Sequence, residues 1–251
     1  TLLFTVGEEV GLKGARQVKP ADLGKPVMGF NYDGGDPASV TIGATGADRW
    51  SVEITGVSSH AGVHPEEGVS ATLIASRAIT SIAAKGYFGA VKKGRKTGTS
   101  NIGPVHGGEA TNQVTDHMVL RGECRSHDPA FLDRITAVHL AEFEKAAASV
   151  RNTAGECGSI QFTSSRDYHS FEMEQDSEVV LRTEEKIRAL GSTPLLKIAN
   201  GGLDANWLNQ KGIPTVTLGA GQHNAHTLKE YVDIREYLGG CELALSLARA
   251  D

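Results

Sequence analysis

A segment between about residues 48 and 165 interrupts the regular alternation of strands and helices in this chain. Within it the residue patterns predict strand, helix, strand, strand, helix and strand, over the ranges 50–57, 69–84, 99–105, 117–125, 128–150 and 159–165. This order is the split βαβ arrangement of a ferredoxin-like α+β sandwich. The segment therefore predicts a small α+β domain inserted into a larger one.

The flanking segments have the pattern of an α/β sheet. An apolar run at 1–6 is expected to be a buried parallel strand, and a second apolar run follows at 27–32. Further strands and helices are predicted at 177–190, 194–198, 204–210, 213–218 and 234–250. We therefore expect an α/β domain with its first part at 1–46 and its second at 169–251, interrupted by the domain at 47–168.

The composition excludes several classes of protein. The chain of 251 residues has 25 basic and 30 acidic residues and a net charge of −5, without a basic run, which argues against binding to nucleic acid or an anionic membrane. The sequence contains no run of about 18 apolar residues, which is the length needed to cross a bilayer. Cys124, Cys157 and Cys241 are odd in number and widely spaced, which predicts reduced thiols and a cytoplasmic location.

Acidic residues and one histidine follow predicted strands. Glu8 and Glu9 end the first apolar run, Asp33 ends the second, and His226 follows a later strand and a glycine turn. Carboxylates and imidazole are ligands suited to zinc, cobalt or manganese, and a second carboxylate could act as a general base. The alternative is that Glu8 and Glu9 are solvated surface glutamates. Asp33 could be an ordinary turn residue, and His226 could be a structural histidine.

Three residues of the predicted insert could contact a substrate. His60 follows the first strand of the insert, and Asn112 and Arg125 lie 13 positions apart in its middle strands. A guanidinium group is suited to holding a substrate carboxylate. The alternatives are that His60 belongs to a capped loop and that Arg125 forms a surface ion pair.

Several motifs together resemble the co-catalytic zinc aminoacylase/carboxypeptidase family, and they occur in the family's order along the whole chain. They are Phe4–Ala15, Tyr32–Gly35, Ser59–Gly62, Pro65–Ala71, Asn101–Gly103, Gly107–Asn112, Gly201–Asn206 and His226. Three of them, Val6–Glu9, Asp33 and Ala225–Thr227, look most like the peptidase T-like tripeptidases. The resemblance implies an incomplete zinc-exopeptidase-like three-layer α/β domain. The insert is expected to be a lid and dimerisation domain that forms a homodimer.

The resemblance also implies an active site with two zinc ions. Glu8 corresponds to the general base that deprotonates the metal-bridging water. Glu9 and His226 correspond to ligands of one metal, and Asp33 corresponds to a ligand of the other. His60 resembles the lid histidine that stabilises the tetrahedral oxyanion.

The expected substrate is a short peptide from which the N-terminal residue is released. Asn112, Arg125, Gly201 and Gly202 resemble substrate-binding residues, and the arginine is expected to grip a carboxylate. An N-acyl-amino-acid deacylase or carboxypeptidase shares the same machinery and is the main alternative. A protein of another class, a non-catalytic dimerisation or binding remnant, is the second alternative.

One departure from the family concerns the metal ligands. The family places a His-x-Asp motif and a bridging aspartate before the two glutamates, and His-x-Asp does not occur in this sequence. Three of the family's five ligands remain. We therefore expect the chain to be a fragment with an incomplete metal site, which binds metal weakly and is inactive alone.

Overall fold

The computed structural model describes residues 1–249, which form two compact units. The first unit consists of residues 1–45 and 168–251, of which the last two lie outside the described part, and the second consists of residues 46–167. The second unit is thus a continuous stretch of chain between the two segments of the first.

The first unit is built around a mixed five-stranded sheet. Its elements are α1 (Lys13–Gln17), β1 (Gly29–Tyr32), β2 (Ser39–Ala44), β8 (Phe171–Glu172), α4 (Glu178–Ala189), β9 (Leu195–Ala199), α5 (Asp204–Gln210), β10 (Thr215–Leu218), β11 (Gln222–His223), β12 (Tyr231–Val232) and α6 (Ile234–Ala248). Strand β1 pairs with β10 in parallel, and β10 pairs with β2 antiparallel. Strand β2 also pairs with β8 antiparallel and with β9 in parallel, while β11 and β12 form a separate two-stranded ribbon.

The core of the first unit lies between the sheet and the helices α4 and α6. Strands β2 and β10 contribute Val40, Ile42, Val216 and Leu218, and the helices contribute Val179, Val180, Ile187, Leu243 and Leu247. Asp233 caps the start of α6 by accepting hydrogen bonds from the two backbone N–H groups of Arg235 and Glu236. Burial of branched side chains on both surfaces fixes these two helices to the sheet.

The second unit is a five-stranded sheet with two long helices. Its elements are β3 (Gly46–Thr55), α2 (Ala71–Ala84), β4 (Gly89–Lys93), β5 (Lys96–Gly107), β6 (His117–Ser126), α3 (Pro129–Ser149) and β7 (Ser159–Tyr168), the last residue of which is assigned to the first unit. The spatial order of the strands is β4, β5, β6, β3, β7. This is the sandwich expected from the sequence, with one further strand.

Both helices of the second unit begin at a side-chain cap. The Ser70 hydroxyl accepts a hydrogen bond from the Leu73 N–H, and the Asp128 carboxylate accepts one from the Phe131 N–H. In β3 the side chains of Trp50, Val52 and Ile54 are buried, and those between them are more exposed. Because α2 and α3 share one core with these residues, both helices cover the same face of the sheet.

Several single elements differ from the sequence expectations. Residues 1–6 are not a strand, because Leu2, Phe4 and Val6 are exposed and no described strand pairs with them. A strand requires a neighbouring strand whose backbone forms hydrogen bonds with its N–H and C=O groups. Strands β2, β4, β8, β11 and β12 were not predicted, and Asn112 lies in a turn between β5 and β6 and not in a strand. The predicted end of the last helix, Ala250, lies outside the described residues.

No helix within residues 1–249 combines the length and the apolar character that a membrane span requires. The mixed α/β fold with an inserted α+β unit, expected from the sequence, is confirmed.

Candidate active site

The two glutamates of the first motif lie in a tight turn that leads into α1. The Glu8 carbonyl accepts hydrogen bonds from the N–H groups of Gly11 and Leu12, at 3.1 and 2.9 Å. The N–H of Gly14 returns to the carbonyl of Val6 at 2.8 Å. A Cβ atom at Gly14 would lie 2.5 Å from the Val6 nitrogen, so this close approach requires glycine.

Asp33 is positioned by the pairing of two parallel strands. Tyr32 of β1 is opposite Leu218 of β10, and the Asp33 N–H donates to the Leu218 carbonyl at 2.8 Å. The next residue, Gly34, has a φ of +121° and accepts hydrogen bonds from the loop that follows β10. Asp33 therefore lies at the carboxyl edge of the sheet, where binding sites of α/β folds are usually found.

His226 reaches the first motif from the loop between β11 and β12. Its Nε2 atom lies 3.6 Å from Oε2 of Glu9, and both side chains are largely exposed. The backbone of His226 is left-handed, with a φ of +64°. The Glu230 carboxylate holds the loop by accepting hydrogen bonds from the His226 N–H at 3.0 Å and from the Gln222 side chain at 2.9 Å.

The carboxylates of this region interact electrostatically. The pKa of Glu8 is raised to about 7, mainly by burial and then by the negative charges of Asp33, Glu9 and Asp204. Burial is also the main cause that raises the pKa of Asp33, and the charges of Glu9 and Asp204 add to it. His226 opposes both shifts. Four acidic side chains and one imidazole thus form a region of strong negative potential, which favours a cation.

The predicted metal ligands have suitable chemistry but are not gathered into a coordinating geometry. Glu9, Asp33 and His226 offer oxygen and nitrogen donors of the kind that divalent transition metals prefer. Within residues 1–249, however, no three side chains of the types His, Cys, Asp and Glu are close enough to hold a metal ion. The residues therefore fit a divalent cation by donor type, and their ligand roles stay predictions.

Two of the predicted substrate-contacting residues of the second unit lie side by side. The N–H of Ala61 donates to the carbonyl of Asn112 at 2.9 Å, and His60 forms a bridge with Gln113. The Nδ1 atom of His60 accepts a hydrogen bond from the N–H of Gly62 at 3.1 Å, and the His60 residue is exposed. Nδ1 is therefore the ring nitrogen that lacks the proton, and Nε2 carries it.

Arg125 lies on β6 and is engaged with a neighbour on the same strand. Its Nε and Nη2 atoms donate to the two carboxylate oxygens of Glu123, at 2.9 and 3.2 Å. This two-pronged ion pair fixes the plane of the guanidinium group. The predicted role of Arg125 in gripping a substrate carboxylate remains a prediction.

The two glycines before α5 have different surroundings. A Cβ atom at Gly202 would lie 2.4 Å from Cζ of Tyr168, so the backbone passes directly over this ring. At Gly201 the same atom would meet no atom of residues 1–249 within 4 Å. Gly202 therefore has a packing role, and the substrate-binding roles predicted for both glycines are not tested by these contacts.

One acidic residue of this region was not assigned a role from the sequence. Asp204 is 6% exposed, and its charge acts on both Glu8 and Asp33. The hydroxyl of Thr5 donates to its Oδ2 atom at 2.5 Å. The available signal was a carboxylate directly after the glycine loop, within the motif Gly201–Asn206, but an aspartate at a helix start is common for structural reasons.

Comparison with known proteins gives matches in sequence and in structure. The peptidase dimerisation domain model matches residues 42–151. The protein YqjE of Bacillus subtilis is 31% identical over 246 residues, which cover 98% of this chain and 62% of YqjE.

Solved structures agree with these sequence matches. The aminopeptidase PepT of Bacillus cereus superposes with a TM-score of 0.83 at 32% identity, covering 97% of this chain and 62% of PepT. A tripeptidase of Staphylococcus aureus gives 0.86 at 33%, covering 97% and 61%. The Bacillus subtilis YxeP protein, described as a dinuclear metal-binding peptidase of the M20 family, shares the fold at 18% identity, with a TM-score of 0.68 and coverage of 98% and 63%.

The chain spans about three fifths of the length of these proteins. Within that span, the matched dimerisation domain overlaps the second unit, and the structural matches extend over nearly the whole chain. The family resemblance inferred from the sequence is therefore confirmed: this chain is similar to M20 peptidases, with peptidase T-like relatives.

Proposed function

We propose that this chain carries catalytic residues of a metal-dependent peptidase that releases the N-terminal residue of short peptides, as a tripeptidase does. The observation that carries the proposal is the Glu8 carboxyl, whose pKa is raised to about 7 beside Glu9, Asp33 and His226. A group with a pKa near 7 is suited to accepting and returning a proton at neutral pH. The similarity to the aminopeptidase PepT and to a tripeptidase supports peptides as substrates.

In this proposal Glu9, Asp33 and His226 would hold the metal, with zinc as the expected ion and cobalt or manganese as alternatives. A bound divalent cation supplies a Lewis acid that polarises the scissile carbonyl. The Glu8 carboxylate takes a proton from the attacking water and returns it to the leaving amine. Because Glu8 is partly buried among like charges, its protonated form is stabilised enough for both steps.

The other predicted residues have proposed roles in substrate binding. His60 donates from Nε2 to the oxyanion, since its Nδ1 atom accepts from Gly62. Asn112 and Arg125 bind the peptide, and the arginine contacts its carboxylate. Gly201 and Gly202 line the substrate cleft. The first unit is the catalytic part in this proposal, and the second is the lid and dimerisation domain.

The central test is the substitution Glu8→Gln, measured with a tripeptide as substrate in the complete, metal-loaded enzyme, which adds the family's His-x-Asp motif and bridging aspartate to this chain. We expect turnover to fall by at least about 100-fold, because a general base contributes about 10²–10⁴ to the rate. Glu144→Gln, at an exposed position of α3, is the matched control and should leave turnover unchanged. A Glu8→Gln variant with near-normal turnover would contradict the proposed role.

Substrate choice separates the peptidase from its alternatives. The complete wild-type enzyme is assayed with tripeptides that have free N-termini and with N-acylated amino acids. Release of the N-terminal residue supports the peptidase, whereas hydrolysis of only the acylated compounds indicates a deacylase or carboxypeptidase. A complete enzyme that hydrolyses neither but forms a dimer would support a non-catalytic dimerisation protein.

Metal content tests the expected incompleteness of the site. Each zinc ion requires about four ligands, so Glu9, Asp33 and His226 do not suffice for two ions held in the usual way. We expect fewer than two tightly bound zinc ions per chain after dialysis, measured by elemental analysis. Two tightly bound ions per chain would overturn this expectation.

A homodimer formed through the second unit is the proposed assembly. Its support is the match of residues 42–151 to a peptidase dimerisation domain. Light scattering should give twice the mass of the 26.5 kDa chain. The cytoplasmic location is likewise a proposal, supported by the free thiols of Cys124, Cys157 and Cys241.

A further inference from the structure

The two carboxylate oxygens of Asp204 have different environments. Oδ2 accepts a hydrogen bond from the Thr5 hydroxyl at 2.5 Å. Oδ1 is fully buried and has no hydrogen-bond partner within residues 1–249. Burying a charged oxygen without a partner is unfavourable, so such an atom calls for a functional explanation.

The hydrogen bond from Thr5 connects Asp204 to the turn that carries the two glutamates. Thr5 stands three positions before Glu8, and the turn closes directly after it, through the bond from Gly14 to the Val6 carbonyl. Residues 1–6 do not pair with any strand in the described part of the chain, and Phe4 and Val6 are exposed. Side-chain contacts are therefore needed to orient this segment, and the bond between Thr5 and Asp204 is one of them.

Asp204 itself is firmly placed. It begins α5, and the side chain of the buried Asn206 accepts a hydrogen bond from the Leu203 N–H at 2.8 Å. The amide nitrogen of the same side chain donates to the carbonyls of Thr45 and His169, at 3.0 and 2.7 Å. The start of α5 is thus fixed on both sides, and Asp204 offers Thr5 a rigid acceptor.

The unpaired Oδ1 atom of Asp204 adds negative charge to a region that already contains other carboxylates. Asp204 lies close enough to Glu8 and Asp33 for its charge to act on both carboxyl groups. Three carboxylates in one partly buried region repel one another, and a divalent cation would relieve that repulsion. An unpaired carboxylate oxygen in this position is consistent with a site whose compensating charge comes from a ligand.

We propose that Asp204 is a positioning residue that fixes the Glu8–Glu9 turn through the Thr5 hydroxyl and contributes its charge to cation binding there. The first part concerns the folded chain alone. The second part rests on the proposed function, because it assumes that this region binds a divalent cation.

The positioning part is tested by amide hydrogen exchange of residues 6–14 in the full chain without metal. Thr5→Val retains the shape of the side chain and loses the donor, so exchange in this segment should become about fivefold faster relative to the amides of α4. Thr5→Ser retains the hydroxyl and should exchange as the wild type does. Unchanged exchange in Thr5→Val would overturn this part.

A matched control exists in the second unit. There the Thr136 hydroxyl donates to Oδ2 of Asp48 at 2.9 Å, in a buried bond of the same type. Thr136→Val should not accelerate the exchange of residues 6–14 relative to α4. An equal acceleration in this variant would mean that the effect is general destabilisation, which also overturns the positioning role.

The charge part is tested with Asp204→Asn, titrated with Mn²⁺ by calorimetry. The carboxamide can still accept a hydrogen bond from Thr5, so exchange of residues 6–14 should stay close to wild type. The affinity for Mn²⁺ should fall about tenfold, because one negative charge is removed from the region. Equal affinity in the variant and the wild type would overturn the charge part.

The experiments distinguish failure of the proposed function from failure of the positioning role of Asp204. A wild-type chain that binds no Mn²⁺ contradicts the proposed function and with it the charge contribution of Asp204. The exchange experiment contains no metal and decides the positioning role independently.

Discussion

Glu8 contributes to the pH dependence of stability as well as to the proposed chemistry. Its pKa is raised from 4.5 to about 7 in the folded chain, so between these values the folded state binds more protons than the unfolded state. The free energy of unfolding therefore falls as the pH rises through this window. The raised pKa of Asp33 acts in the same direction.

Glu8→Gln removes one of these titrating groups. We expect urea unfolding of the metal-free protein to show higher stability for the variant than for the wild type at pH 8. The difference should shrink towards pH 5, where Glu8 is mostly protonated. A wild type that gained stability between pH 5 and pH 8 relative to the variant would contradict the assigned pKa shift.

The left-handed backbone of His226 determines which substitution tests its ligand role. At a φ of +64° asparagine is better tolerated than most residues, so His226→Asn removes the imidazole with little backbone strain. We expect Mn²⁺ affinity to fall by at least about tenfold, which corresponds to about 1.4 kcal/mol. Calorimetric titration measures the affinity, and circular dichroism checks the fold. Unchanged affinity would remove His226 from the proposed ligands.

Among the elements, the loop before α5 offers a paired test of packing. Gly202→Ala would place a Cβ atom 2.4 Å from the Tyr168 ring, whereas the Cβ atom of Gly201→Ala would meet no described atom within 4 Å. We expect the first change to cost about 1–3 kcal/mol and the second less than about 0.5 kcal/mol, measured as the shift in the urea midpoint. Equal losses in both variants would show that the loop moves away from Tyr168.

Elements with local signals were predictable from the sequence. The helix expected at 69–84 is α2 (Ala71–Ala84), because Ser70 supplies the cap and the apolar spacing supplies the buried face. Residues 1–6 have the composition of a strand, but a strand depends on a partner elsewhere, which composition does not reveal. Strand β4 was missed because its side chains include two lysines and only Val91 is buried.

The residues of the candidate site also divide into those with a local signal in the sequence and those that depend on distant contacts. Glu8, Glu9, Asp33 and His226 could be proposed from their positions after apolar runs, and the structure places them within electrostatic range of one another. Asp204 could not be identified because its significance depends on a hydrogen bond to Thr5, 199 positions away in the chain.

At the scale of the whole molecule, the second unit has the features of an independent folding domain. It has its own core, with Phe131, Ile135 and Phe143 of α3 among the buried residues. Its first and last strands, β3 and β7, are neighbours in the sheet, and Arg49 near one end forms an ion pair with Asp167 at the other. The two ends of the unit are thus held together by its own contacts.

We therefore expect residues 46–167 to fold when expressed alone. Circular dichroism should show a single cooperative thermal transition, and the amide proton spectrum should be well dispersed. A variant carrying Phe143→Ala should lose about 3–5 kcal/mol, since this ring is fully buried. A broad, non-cooperative transition of the isolated unit would contradict the prediction.

The adjacency of β3 and β7 also bears on how such a gene can be rearranged. Because the ends of the second unit are close together, it can be inserted into the chain of the first unit without stretching that chain. Deleting it would leave a gap that a few residues can bridge. The insert can therefore be exchanged, duplicated or lost as a cassette. New ends could equally be opened within it after its original ends are joined by a short linker, which makes it a candidate for circular permutation.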